Sequence, residues 1–302
     1  MTTPLDLRVA LGPVGVWESF DGIPTADVLR YAGDVERLGY GALWVNESAA
    51  REPFALLGAL AGATSRLTLG VGIASIYARD AMAARAGART VADLSDGRFV
   101  MGLGVSHRSS VEVRGHEYTP PLAAMRAYLD AYDAAPWAGP VGPEPPLVLA
   151  ALGPGMLRLA ATRTAGAFPF LVGVAHVVAA RRTLDEAAAA AGREDRPILV
   201  VSQAAILGSG PEARATARAI VGRYLKHPNY RDSLARVGFT VEQIDALDDP
   251  LVDSLVAIGD EDALRTRVDA MLHAGADHVA VIPLAPDGRH ADPSTTRALA
   301  PR

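Results

Sequence analysis

Short, almost uninterrupted apolar runs alternate along this chain with stretches in which apolar residues recur every three or four positions. The runs fall near 6–11, 42–46, 67–76, 98–104, 147–151, 167–172, 197–206 and 278–283, eight in all. Several are apolar at nearly every position, such as LTLGVGI, FVMGLGV, PILVVSQAAIL and HVAVIPL. Runs of that kind suit parallel strands covered on both faces. Between them the period lengthens. Val28, Tyr31, Ala32 and Val35 mark one helical stripe, Phe54, Leu57, Gly58 and Ala61 a second, and Leu264, Val268, Met271 and Leu272 a third. Pro24 and Pro53 suit first helical turns, carboxylates cluster at 260–262, and Gly39 and Gly275 stand where helices should stop. Eight strand–helix alternations predict one closed (β/α)8 barrel over 1–302 rather than an open doubly wound sheet. The Pro/Gly-rich stretch 136–146 reads as a connection, and 222–254 as extra helix before the last unit.

Composition narrows the chemistry. Half of the 302 residues are hydrophobic, which supports a large core. The net charge of −5 has no basic face behind it, so nucleic acid is not an expected partner. The absence of cysteine removes thiol catalysis, disulfides and thiolate metal sites. The start MTTPLDLRVALGPVGVW lacks the pattern of a secretion signal, and no apolar stretch is long enough for a membrane span. The expectation is a cytoplasmic protein.

A barrel of this kind carries its active site where the strands end. That logic selects Val16, Trp17 and Glu18 after the first run, Asn46, Glu47 and Ser48 after the second, and Ser75, Tyr77 and Arg79 after the third. It continues with Ser106, His107 and Arg108, then Gly153, Gly155 and Met156, and finally Phe170. GVG at 70–72 and GLG at 102–104 are not a dinucleotide fingerprint, since His107 stands where the third glycine belongs. Their small residues either admit a ligand close to the barrel mouth or fill a narrow core layer. The segment AALGPGMLRLA ends a strand and starts a helix at once, so it is either an anion cradle of free amides or a plain turn. His107 is the one histidine just past a strand. His116, His227, His273 and His290 read as surface residues, His176 as the start of a helix, and His278 as lying at the opposite end of the barrel. No histidine pair has metal-ligand spacing, so no metal is expected, and no GxSxG elbow supports a hydrolase.

Taken in order, RLGYGALWVNES, PFALLGALAGATSRL, LTLGVGIASIYARD, LSDGRFVMGLGVSH, AALGPGMLRLA and LVAIGDEDALRTRV resemble the luciferase-like monooxygenase superfamily, above all its coenzyme F420-dependent oxidoreductase branch. The resemblance implies a bacterial-luciferase-like TIM barrel with coenzyme F420, or alternatively FMN, across its mouth. It implies a cis peptide at Gly72–Ile73, with Ile73 against the ring and Ser75 at its polar edge. It places the ribityl chain and phosphate near Val105, Ser106, Gly153, Gly155 and Met156, and offers Arg79 and Arg108 to an acidic tail. His107 and Glu47 become the catalytic candidates, and Trp17, Trp44, Tyr77 and Phe170 the substrate-pocket walls, with Trp44 otherwise a core residue.

Two departures matter. Ser48 stands where many members carry a histidine, and His107 where the sugar-phosphate dehydrogenases carry a glutamate. Three readings follow: hydride transfer between a deazaflavin and a small organic substrate, an FMN monooxygenase served by a separate reductase, or a flavin-binding barrel without turnover. The resemblance also implies a homodimer, for which the apolar helix faces at 53–63 and 81–94 are available.

Overall fold

The computed structural model describes residues 4–140, 142 and 144–302. Within the proline-rich connection at 136–146, Val141 and Pro143 lie outside the described residues. Among the described residues ten strands run parallel: β1 Val14–Glu18, β2 Ala42–Val45, β3 Thr68–Val71, β4 Ala74–Ser75, β5 Phe99–Gly104, β6 Leu147–Leu149, β7 Gly166–Ala167, β8 Ile198–Leu207, β9 Val256–Gly259 and β10 His278–Leu284. β10 pairs with both β1 and β8, which closes the sheet into a barrel. β3 and β4 occupy one of its eight positions, broken at Gly72–Ile73, whose peptide bond is cis. Helices follow the strands on the outside, as the alternating pattern requires.

The first predicted strand is wrong. Residues 6–11 belong to the helix Pro4–Leu11, and the strand comes later, at β1. The reason is visible in the spacing: Leu7 and Leu11, four apart, are buried, whereas Arg8 to Ala10 between them are not. Gly12, at φ +62°, ends the helix, and Val14, Gly15 and Val16 then align with Val279, Ala280 and Val281. The helix lies across the bottom of the barrel. Leu7 and Leu11 pack into the cluster containing Trp44, Val100 and Val148, and Arg8 is bonded to Asp277 and to the carbonyls of Arg196 and Pro197.

Other expectations fare differently. The strand expected at 167–172 is only Gly166–Ala167, because Pro169 has no N–H to donate to a ladder. β9 is an addition that pairs with the end of β8 outside the closed ring. Gly39 and Gly275 do end helices, at φ +86° and +110°. Asp260 caps the helix Glu261–His273 by accepting from the Ala263 amide. The stretch 222–254 resolves into three short helices, Pro228–Arg236, Val241–Ala246 and Asp249–Leu255. They lie between β8 and β9 in the chain, and the first of them reaches the barrel mouth. No helix among the described residues is long and apolar enough to cross a membrane.

Candidate active site

A cavity of about 540 Å³ opens at the C-terminal ends of the strands, within the ordinary range for small-molecule sites. Its base is built from glycines. A methyl group on Gly72 would stand 2.6 Å from the Phe168 ring and 3.0 Å from Trp17 Nε1, and one on Gly104 would stand 2.4 Å from Ile73 Cδ1. Neither position takes a methyl without a neighbour shifting, so the strands approach closely, and Ile73 lies in the floor. The Trp17 indole N–H donates to the Gly72 carbonyl at 2.6 Å, which fixes that floor from the side.

The helix Pro154–Arg163 begins at the cavity, with Gly153 as its cap residue and Gly155 and Met156 lining the wall. The amides of a first helical turn have no partner within the helix and carry its positive end, so an anion is favoured there. Val105, Ser106 and His107 continue the wall after β5. Ser106 adopts φ +56°, a left-handed conformation uncommon without glycine, and His107 follows it as the residue before the helix Arg108–Glu112. The opposite wall is aromatic: Trp17 meets Phe170 with ring centres 5.5 Å apart, and Phe170 meets Tyr224 at 4.8 Å.

His107 is not the isolated group its position suggested. The His227 ring lies flat against it, centres 3.9 Å apart and planes 6° from parallel, and Tyr230 stands at 5.6 Å. Burial, and secondarily the charge His227 could carry, push the His107 imidazole down to about 4. It is therefore neutral at neutral pH, a proton acceptor rather than a cation.

Glu47 also lines the cavity, but its carboxylate is engaged. It accepts from the Ser75 amide at 2.6 Å and pairs with Arg79, which also reaches Glu52 at 3.1 Å. Five expected contacts do not reach the cavity. Arg79 is held by the two carboxylates and lies over the Phe54 ring, and Ser75 is buried with its amide committed to Glu47. Tyr77 bonds Thr119 on an outer loop. Trp44 is fully buried in the barrel core, edge-on to Phe168, with its N–H given to His278 Nε2 at 3.1 Å. Arg108 is bonded to Glu112 and lies over the Tyr118 ring outside the cavity wall. Ser48 donates to Asp21 at 2.7 Å and takes no part in the site.

Glu18 is the last residue of β1 but does not line the cavity. It is completely buried, with His290 Nδ1 at 2.9 Å and the Ala291 amide at 2.8 Å as partners, and burial raises its pKa. So His290 is a partner of the core, although it was expected to be a surface residue. The cavity residues that the strand-end logic misses include Tyr118 from the loop after β5 and Tyr224, Asn229 and Tyr230 from the segment after β8. Nothing in an apolar-run pattern signals that a helix outside the ring folds back over its mouth.

Comparisons with known proteins agree with this fold. The family model for luciferase-like monooxygenases matches residues 9–278. A Mycobacterium tuberculosis protein named as a coenzyme F420-dependent oxidoreductase is 24% identical, over 89% of this chain and 93% of its own. Among solved structures, an F420-dependent secondary alcohol dehydrogenase holding an F420–acetone adduct superposes with a TM-score of 0.77 at 14% identity, covering 95% of this chain and 96% of the other. The oxygenating constituent of 3,6-diketocamphane monooxygenase from Pseudomonas putida, in complex with FMN, gives 0.68 at 16% identity, covering 95% and 96%.

Proposed function

The chain belongs to the luciferase-like monooxygenase family, and from that premise we propose that it is an oxidoreductase using coenzyme F420, with a small organic substrate bound in the same cavity. The observation that carries the reading is the glycine-cleared floor at Gly72 and Gly104 beside the open helix start at Gly153–Met156. A flat ring system fits against Ile73, and a phosphate fits the amides of Gly155 and Met156. Bound there, the deazaflavin supplies hydride transfer at its C5.

The protein's own part is orientation, exclusion of water and proton handling. Trp17, Phe170 and Tyr224 make an apolar wall that shields the substrate end of the cavity. His107, neutral and at the cavity edge, takes the proton from a substrate hydroxyl as the alcohol is oxidised. Glu47 is excluded from that task by its pairing with Arg79 and serves instead to hold the loop after β4.

The test is a titration of purified protein with coenzyme F420 and with FMN, followed by a screen of alcohols and ketones against a His107→Ala control. Saturable F420 binding, with turnover about 100-fold lower in His107→Ala, is the expected result. Preference for FMN supports the monooxygenase reading, to which the FMN-bound camphane enzyme lends its fold. Binding of neither overturns both.

A further inference from the structure

Two histidines far apart in the chain face each other at the cavity mouth, and each is held by its own element. His107 is the residue before the helix Arg108–Glu112, in extended conformation. His227 is the residue before the helix Pro228–Arg236, also extended. Pro228 restricts the backbone of His227 to that conformation. The helix behind it is pinned to the barrel at three points. Tyr230 is buried, Ser233 meets His176 Nδ1 at 3.1 Å, and Arg236 reaches the Leu152 carbonyl at 3.4 Å. The His227 ring is thus presented in a fixed plane, and it covers one face of His107 at a centre distance of 3.9 Å.

We propose that His227 is a positioning residue for His107: by stacking on it, His227 fixes the plane of the imidazole and keeps it dry and neutral. This rests on the assignment of proton transfer to His107. A ring covered on one face by another ring loses hydration on that face, which disfavours the imidazolium. The positive end of the helix behind His227 acts in the same sense on its own ring. The other ionisable groups on the elements around the pair do not offset this. Arg108 and Glu112 are bonded to each other, Tyr118 lies beneath Arg108, and Lys226 beside His227 is a cation that further disfavours charge there. Tyr230 contributes a ring and no charge at neutral pH.

The proposal separates shielding from charge. His227→Ala uncovers His107, whereas His227→Phe keeps a flat ring over it and removes only the ionisable partner. Ring-proton NMR titration of His107, without cofactor or substrate, reads the difference directly. Its midpoint should lie near 4 in the wild type, rise by at least one pH unit toward 6.5 in His227→Ala, and stay low in His227→Phe. The acid limb of the turnover profile should move upward in His227→Ala and return in His227→Phe. A His107 midpoint unmoved by His227→Ala overturns the proposal, and so does His227→Phe raising it as far as alanine does. If the midpoints move as stated while turnover ignores His107→Ala, the stack stands and the proton-transfer assignment falls.

Discussion

Replacing Gly104 by alanine should weaken cofactor binding far more than folding. The new methyl would stand 2.4 Å from Ile73 Cδ1, 2.8 Å from Ile73 Cγ1 and 3.2 Å from Ala150 Cβ. Ordinary carbon contacts are about 3.5–4.0 Å, so the tip of Ile73 must retreat by roughly 1 Å, and the open direction is the cavity. A flexible side-chain end that can move absorbs overpacking cheaply, at about 1 kcal/mol of stability. The displaced isoleucine then occupies ring space, and an overpacking cost of about 1–3 kcal/mol reappears in the complex as roughly a ten- to hundredfold rise in Kd. Gly102→Ala is the contrast. Its methyl would stand 2.2 Å from the Val71 carbonyl oxygen, which is backbone and cannot swing aside, so stability should fall by about 3 kcal/mol or more. Thermal melts of the free proteins and fluorescence titrations with coenzyme F420 separate the two effects. Ile73→Val, which deletes Cδ1 but keeps a γ carbon, should restore part of the affinity of Gly104→Ala and none of the stability of Gly102→Ala. If Gly104→Ala binds normally but melts like Gly102→Ala, Ile73 is not the floor of the site.

Trp17 is the one tryptophan lining the cavity, Trp44 being buried in the core and Trp137 bonded to Pro140 in an outer loop; Trp17→Phe should therefore abolish most of the fluorescence quenching on cofactor binding, and retention of the full signal would assign it elsewhere. Arg79→Met should destabilise the protein by about 3–5 kcal/mol by leaving the Glu47 carboxylate, only 5% exposed, without its cation. Pairing it with Glu47→Gln should recover part of the loss in denaturant melts, and strict additivity would contradict the coupling. Acid stability follows from His107, His176 and His278, each pushed down to about 4 mainly by burial. Unfolded histidine takes up protons near 6.5, so the unfolded chain binds more protons in between; stability is full above that pH and falls as pH drops from 6.5 toward 4. His278 makes the cause concrete: Nδ1 donates to the Gly12 carbonyl at 2.8 Å while Nε2 accepts from Trp44, so a second ring proton has no acceptor. Melting temperatures that stay flat across that window would refute this.

The ring of strands was readable because each strand is covered on both sides and leaves an unbroken apolar run. Where a second requirement intervened, the pattern misled. Residues 6–11 are short and apolar enough to pass as a strand, yet their burial has the helical spacing of Leu7 and Leu11. Phe168 to Val172 look like strand, but Pro169 cannot join a ladder. The site was legible to the same degree. Positions at strand ends, such as Glu47, Ile73, His107 and Gly153, do reach the cavity. The apolar runs say that Trp44 and Ser75 lie in strands but not which way they face, and Arg79 goes to the nearest carboxylates instead of the open mouth. His227 and Tyr230 were hidden because their placement depends on how a segment outside the repeat docks, through Ser233 and Arg236.

The helix Pro4–Leu11 also bears on how the molecule is made. It leaves the ribosome before β1 to β10, yet its binding surface includes Asp277, 269 residues further on, and the carbonyls of Arg196 and Pro197. Chains grow at about 5–20 residues per second, so this amphipathic segment must wait, uncovered, until Asp277 has been made. The floor of the barrel is sealed only once β10 has arrived, so a helix made before the strands docks after them.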